Sequence, residues 1–167
     1  WRDAMAAQPF DYLFSIVNLD MLPADVLALP RRMAVNFHDG PLPRYAGIHA
    51  PAWALMAGET SFGVTWHEIV AEADKGRILV QRAIDIAPDE TAFSLNAKCF
   101  DAGMDSFAEL VRGIVGGTLE PRPQDFSTRS YFGKFKRPDA ASLLDLNQPA
   151  ADIARFVAAH DYGQGYP

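Results

Sequence analysis

At 167 residues the chain has room for one hydrophobic core and can bury roughly 70% of its unfolded surface without disulfide or metal staples. Hydrophobic residues at 49% and charged residues at 22% exclude disordered and fibrous classes, and a single cysteine, Cys99, excludes an internal disulfide. A net charge of -6 with no Lys or Arg run longer than a pair argues against a general nucleic-acid groove, and no apolar run approaches the ~20 residues of a membrane span. The first residues lack the charged-then-apolar pattern of a signal peptide, so a cytoplasmic protein is the default expectation. Trp1 in place of a methionine, and an end just after a helical pattern, lead us to expect a segment of a longer protein.

Asp11 to Val17 (DYLFSIV) is a compact aromatic and β-branched run and predicts a buried strand. Pro23 opens a short helix through Leu29 that Pro30 ends, and Met33 to Phe37 predicts a second strand. The segment His38 to Gly47 (HDGPLPRYAG) holds two prolines and two glycines and must be a shaped loop. A helix follows from Ala50 to Ala57, stopped by Gly58. Phe62 to Ile69 and Arg77 to Ile86 predict a hairpin-like pair of strands, with Asp74 at the tip of the polar turn Glu72 to Gly76. Asp89 is the expected N-cap of the longest helix, whose stripe is Phe93, Ala97, Phe100, Met104, Phe107, Val111 and Ile114, ending at Gly116-Gly117. Cys99 falls in that helix and is expected to be a buried, inert thiol. Residues 118–137 look irregular, and Asn147 is expected to cap a last helix carrying Ile153, Phe156 and Val157. Short apolar runs alternating with helical periods define an α/β chain.

The residues that point to chemistry are Asn36 and His38. Strand period puts them on one side of a predicted strand end, where open α/β sheets bind ligands, and Asp74 stands on a second loop after another strand. For one isolated histidine, satisfaction of local backbone groups would be the favoured explanation; two polar side chains running into a proline-rich loop weaken it.

NFHDGPLPRYAG, followed in order by PAWALMAGE, GVTWHEI and EADKGRILVQ, resembles the catalytic core of the 10-formyltetrahydrofolate-dependent formyltransferases from Phe10 to about Phe132. The resemblance implies a Rossmann-like formyltransferase core over residues 1–136, lacking its first two βα repeats. It further implies, for residues 137–167, a linker and the first helix of a C-terminal subdomain, carried by LLDLNQPAADIARFVAAHDYGQGYP. It also implies roles. Asn36 would hydrogen-bond the formyl oxygen as charge develops there. His38 would be proton donor and electrostatic partner, and Asp74 would reach His38 directly or through water and help take the proton from the attacking amine. The folate donor would lie between two loops, against Val17, Leu19, Asp20, Met21 and Leu22 on one wall and Val70, Glu72 and Ala73 on the other, with Leu42 from the proline loop.

The version of the motifs found here looks most like formylation domains at the front of peptide or polyketide assembly lines. The expected acceptor is therefore a primary amine, in first place an aminoacyl group held on a carrier domain of a larger synthetase. Amino-sugar or methionyl-tRNA formylation, hydrolysis of the folate donor to formate, and a non-catalytic module of a synthetase are the alternatives. Many family members have Ser two residues after the histidine, where this chain has Gly40, so any hydroxyl contact at that place is gone. No metal is expected, since the four histidines and the cysteine do not fall at ligand spacings. His67 is expected to be structural or on the rim, and His49 and His160 to have no catalytic part. Asp85, Asp89 and Glu90 are expected at a strand exit and helix cap, and Lys134 to Arg137 in a solvated linker.

Overall fold

The computed structural model describes residues 2–138 and 143–164. A short helix α1 (Arg2–Ala6), not expected from the sequence, leads into strand β1 (Tyr12–Ser15) and helix α2 (Ala24–Leu27). Strand β2 (Met33–His38) follows, then a two-residue strand β3 (Ala46–Gly47), helix α3 (Ala50–Met56) and the long strands β4 (Ser61–Glu68) and β5 (Ile78–Asp85). Helix α4 (Ala92–Gly116), a 3-10 turn (Phe126–Thr128), strand β6 (Tyr131–Phe132) and helix α5 (Ala150–Ala159) complete the order. The main sheet runs β1-β2-β4-β5, parallel between β1 and β2 and antiparallel across the other two pairs. The result is a mixed α/β sheet, with the predicted hairpin-like pair realised as β4 and β5.

Register decides which residues share a face. Phe37 lies opposite Trp66, and on that face their rings pack 5.0 Å apart beneath α4. Asn36 lies opposite His67 and His38 opposite Thr65, and these four side chains share the other face. Alternation along β2 thus sends its aromatic residue into the core and its two polar residues into the site.

Helix α4 corrects the predicted stripe. Its buried face is Ala92, Leu95, Cys99, Gly103, Ser106 and Leu110, whereas Phe93, Phe100 and Met104 face solvent, Met104 with 67% exposure. The cause is the bulk of the sheet beneath. A Cβ at Gly103 would come within 2.6 Å of the Phe37 ring, and Ser106 accepts the Trp66 indole N–H at 3.0 Å, so the contact face must be small. Leu95 and Leu110, fully buried, each contribute on the order of 2 kcal/mol from apolar area removed from water. Cys99 is buried as expected, and burial raises its thiol pKa.

Thr91, not Asp89, caps α4: its hydroxyl accepts from the Ser94 N–H while the Ser94 hydroxyl accepts from the Thr91 N–H, a reciprocal box that Asp89 cannot form. Gly117 ends the helix at φ 64. Pro149, not Asn147, precedes α5, while Asn147 sits in a turn in which its N–H and side-chain amide donate to Asp145. The stretch expected to be irregular contains β6, too short to leave a periodic signal, which pairs in parallel with β3 through Ala46 opposite Tyr131 and Gly47 opposite Phe132. Helix α5 docks on α3 and places Ala159 at 1% exposure in the same core cluster. Part of the expected linker, residues 139–142, and the last residues of the expected subdomain junction, 165–167, lie outside the described residues.

Candidate active site

The proline-rich loop closes over the polar face of β2 and β4. Thr65 pins it: its hydroxyl donates to the Gly40 carbonyl at 2.7 Å and accepts from the Leu42 N–H at 3.2 Å. Gln81 of β5 donates to the Leu42 carbonyl and to the Thr65 hydroxyl, each at 2.9 Å. The loop's backbone groups are thereby satisfied without regular structure. Leu42 anchors the loop. Its side chain is 3% exposed, it packs with Ala46 and Ile78, and both its backbone groups are taken.

The loop's Tyr45 carbonyl accepts from the Nε2–H of His38 at 2.9 Å. Neutral His38 therefore carries its hydrogen on Nε2 and presents a lone pair at Nδ1. That nitrogen faces two carboxylates, Asp39 at 3.8 Å and Asp74 at 3.9 Å, distances that a bridging water or a reacting group can close.

Asp74 stands on the turn between β4 and β5 with φ 54. Gln124 donates to the Asp74 and Gly76 carbonyls at 2.8 and 2.7 Å, and Arg129 donates to the Ala73 carbonyl at 3.0 Å, so the turn is held from outside. The carboxylate is received from three sides: the Gly47 N–H donates to it at 2.8 Å, His67 Nε2 lies 3.4 Å away, and His38 lies across from it. Burial pushes the Asp74 pKa up, but the His67 contact, the His38 charge and the Gly47 N–H outweigh it and hold the pKa at about 2. Asp74 is an anion throughout the neutral range.

His67, expected to be structural or on the rim, is 2% exposed and stands between Asn36 and Asp74. Its Nδ1–H donates to the Glu68 carbonyl at 2.7 Å, so in the neutral ring Nε2 accepts from the Asn36 amide at 3.2 Å. One Asn36 N–H is thus fixed and the other is left to donate elsewhere. Once protonated, the same Nε2 donates to Asp74 instead. Period 2 along β4 puts His67 on the Thr65 face; only the β2–β4 register, which no local pattern supplies, brings it opposite Asn36.

Gly47 is the second missed residue. Its φ of 104 suits glycine, and a Cβ there would lie 2.0 Å from the Phe132 carbonyl oxygen of β6. Gly47→Ala is expected to cost about 2–3 kcal/mol of stability in urea unfolding and to displace Asp74. An unchanged unfolding midpoint would contradict this placement.

Of the other nominated residues, Val17, Leu19, Asp20 and Met21 are exposed on the loop after β1, with Leu22 half-buried, and Val70, Glu72 and Ala73 lie on the turn that carries Asp74. Asn18 shapes the first loop by accepting the Asp20 N–H and donating to the Asp20 carbonyl. Glu90 is buried under bonds from Lys98, Ser94 and the Ala87 N–H, and His160 stacks on Phe156. His49 precedes α3 in the left-handed region. Among the described residues, no three His, Cys, Asp or Glu side chains are placed to hold a metal ion, and no helix is long and apolar enough to cross a membrane.

A mixed α/β sheet with an amide, an imidazole and an ionised carboxylate gathered at one strand end has the architecture of a group-transfer enzyme domain. The chain belongs to the formyl transferase family, whose pattern matches residues 3–111. Solved structures of the same fold include the N-formyltransferase from Helicobacter canadensis in complex with folinic acid and dTDP-3-aminofucose, with 23% identity and TM-score 0.77, the match covering 87% of this chain and 53% of that one. A 4-N formyltransferase from Francisella tularensis matches at 18% identity and TM-score 0.85, over 99% of this chain and 66% of that one. HypX from Aquifex aeolicus in complex with tetrahydrofolic acid matches at 20% and 0.79, over 96% and 27%. The chain thus spans about half the length of the Helicobacter protein.

Proposed function

We propose that this chain is the catalytic part of an N-formyltransferase that moves a formyl group from 10-formyltetrahydrofolate to the primary amine of a nucleotide-linked sugar. The observation that carries the reaction is the gathering of Asn36, His38 and Asp74, linked through His67, at one strand end of the family's fold. The neutral amine attacks the formyl carbon; a C–N bond forms and the carbonyl π electrons move to oxygen, where the free Asn36 N–H donates to the oxyanion. The Nδ1 lone pair of His38 takes the proton released by the attacking nitrogen, and the Asp74 anion stabilises the resulting imidazolium. As the oxyanion collapses, the bond to N10 breaks and N10 leaves with the proton from Nδ1. The products are a formamide and tetrahydrofolate. The exposed apolar loop after β1, with Leu19 at 82% exposure, and the Asp74 turn form the folate walls. The outer edge of β1 has no strand partner among the described residues and is where further βα repeats would join the sheet.

The folinic acid and amino-sugar nucleotide bound by the Helicobacter canadensis enzyme support donor and acceptor in this form. The expected assembly-line acceptor has no counterpart among the neighbours named above, and it stands as the second reading on one observation. The cations around the site are already engaged: Arg44 with Glu59, Lys75 with Glu72 at 2.8 Å, and Arg129 with the Asp74 turn, which leaves none of the three free for a pyrophosphate. Assaying the full-length protein with 10-formyltetrahydrofolate against a dTDP-amino sugar, an aminoacyl carrier protein and methionyl-tRNA separates the readings. Formylation of the sugar is expected; turnover on the carrier or tRNA alone would overturn the sugar assignment.

A further inference from the structure

Three hydrogen-bond acceptors meet beside neutral His38 with no donor among them. The His38 side chain is 5% exposed, and its Nδ1 makes no hydrogen bond among the described residues, because the Tyr45 carbonyl takes only the Nε2–H. Asp39 Oδ1 lies 3.8 Å from that nitrogen and Asp74 Oδ2 3.9 Å from it, both too long for a direct hydrogen bond. Such gaps admit one nitrogen at about 2.8 Å from each atom. The two carboxylates differ in their other partners. Asp74 already accepts the Gly47 N–H and touches His67, and its side chain is 13% exposed. Asp39 accepts no hydrogen bond from any described residue and its side chain is 32% exposed, so its charge is the uncommitted one in the site.

A primary ammonium fits this arrangement: it brings one positive charge, three N–H donors and no acceptor to one lone pair and two carboxylates. A hydroxyl group, with one donor and no charge, would satisfy only one of the three. We infer that Asp39 is a specificity-determining residue that recognises the acceptor's amino group in its ammonium form, together with Nδ1 of His38 and Asp74. The inference rests on the formyl-transfer reading and deepens it by stating which charge state of the acceptor is bound. A free primary amine is mostly protonated at neutral pH, so the ammonium is the form that arrives. Bound there, it loses one proton to water along the solvent side of Asp39. The neutral amine left behind attacks the formyl carbon, with Nδ1 of His38 still unprotonated and ready for the second proton.

The test is equilibrium binding near pH 7 of a dTDP-amino sugar, and of the dTDP-sugar with a hydroxyl in place of the amine, to the full-length protein and to Asp39→Asn, with steady-state formylation measured alongside. The parent is expected to bind the amino sugar about 10–100-fold more tightly than the hydroxy sugar, and Asp39→Asn to lose most of that preference. In kinetics the variant should raise KM for the amine about 10-fold or more while folate KM stays within about threefold, and Asp39→Glu should recover part of the amine KM. A structural role alone would shift both KM values and would not follow the charge. A parent that binds the two sugars equally overturns the inference without any variant. So does a folded Asp39→Asn that keeps the parental preference, even if the His38 titration moves in its NMR spectrum, since Asp39 would then act only through the ring. If an aminoacyl carrier protein is formylated and the sugar is not, the aminoacyl carrier is compared with its hydroxyacyl counterpart and the same outcomes decide. Formate release without turnover of any amine removes the formyl-transfer reading and the inference with it. Formamide formation with a parental amine KM in Asp39→Asn removes the inference alone.

Discussion

Asp74→Asn is expected to lower kcat for formyl transfer by about 10²–10⁴-fold, with folate affinity nearly unchanged. The substitution keeps the size of the side chain and one oxygen for the Gly47 N–H, but it removes the anion that faces His38 and His67. Without it the imidazolium formed at His38 has lost the more buried of its two carboxylate partners, and the proton it must take and return is less favoured there. The same variant has a signature in stability. The Asp74 pKa is held at about 2, below its ordinary 3.8, so the stabilisation it gives is complete above about pH 4 and is lost as pH falls through 2. A depression of this size corresponds to about 2 kcal/mol, and in urea unfolding the parent should lose that much more than Asp74→Asn between pH 6 and pH 2. Equal pH dependence in the two proteins would show that the carboxylate is not held as described.

Asn36→Ala is the second large effect. Loss of one oxyanion donor costs roughly 10²–10³ in rate in comparable sites, and here the amide is also the group that His67 orients. The drop should appear in kcat. His67→Gln should give a smaller loss of the same kind, because a Gln side chain still offers Asn36 an acceptor but does not place it as the ring does. An Asn36→Ala enzyme with parental kcat would remove Asn36 from the reaction.

Much of this was legible in the sequence. Strand period placed Asn36 and His38 on one side, and the polar turn put Asp74 on a neighbouring loop; the structure brings all three together. What could not be read was register and bulk. His67 joins the site only because β4 runs antiparallel to β2 with Asn36 opposite it. The α4 stripe was misread because its core face is built from Ala92, Cys99, Gly103 and Ser106, which carry little hydrophobic signal, while Phe93 and Met104 point outward. Their smallness makes sense only once the rings of Phe37 and Trp66 are seen beneath the helix. Gly47 was visible as a loop glycine. Its reason, the Phe132 carbonyl, lies 85 residues away in the chain.

The most direct measurement follows the formyl carbon itself: a single turnover of the full-length protein with 13C-formyl-labelled 10-formyltetrahydrofolate and the amino-sugar nucleotide, read by 13C NMR and mass spectrometry. Transfer by the Asn36, His38 and Asp74 group predicts that the label appears in a new formamide on the amine, in step with tetrahydrofolate release, and that Asp74→Asn suppresses both. Label recovered as formate, at a rate unchanged by the amine, would contradict it.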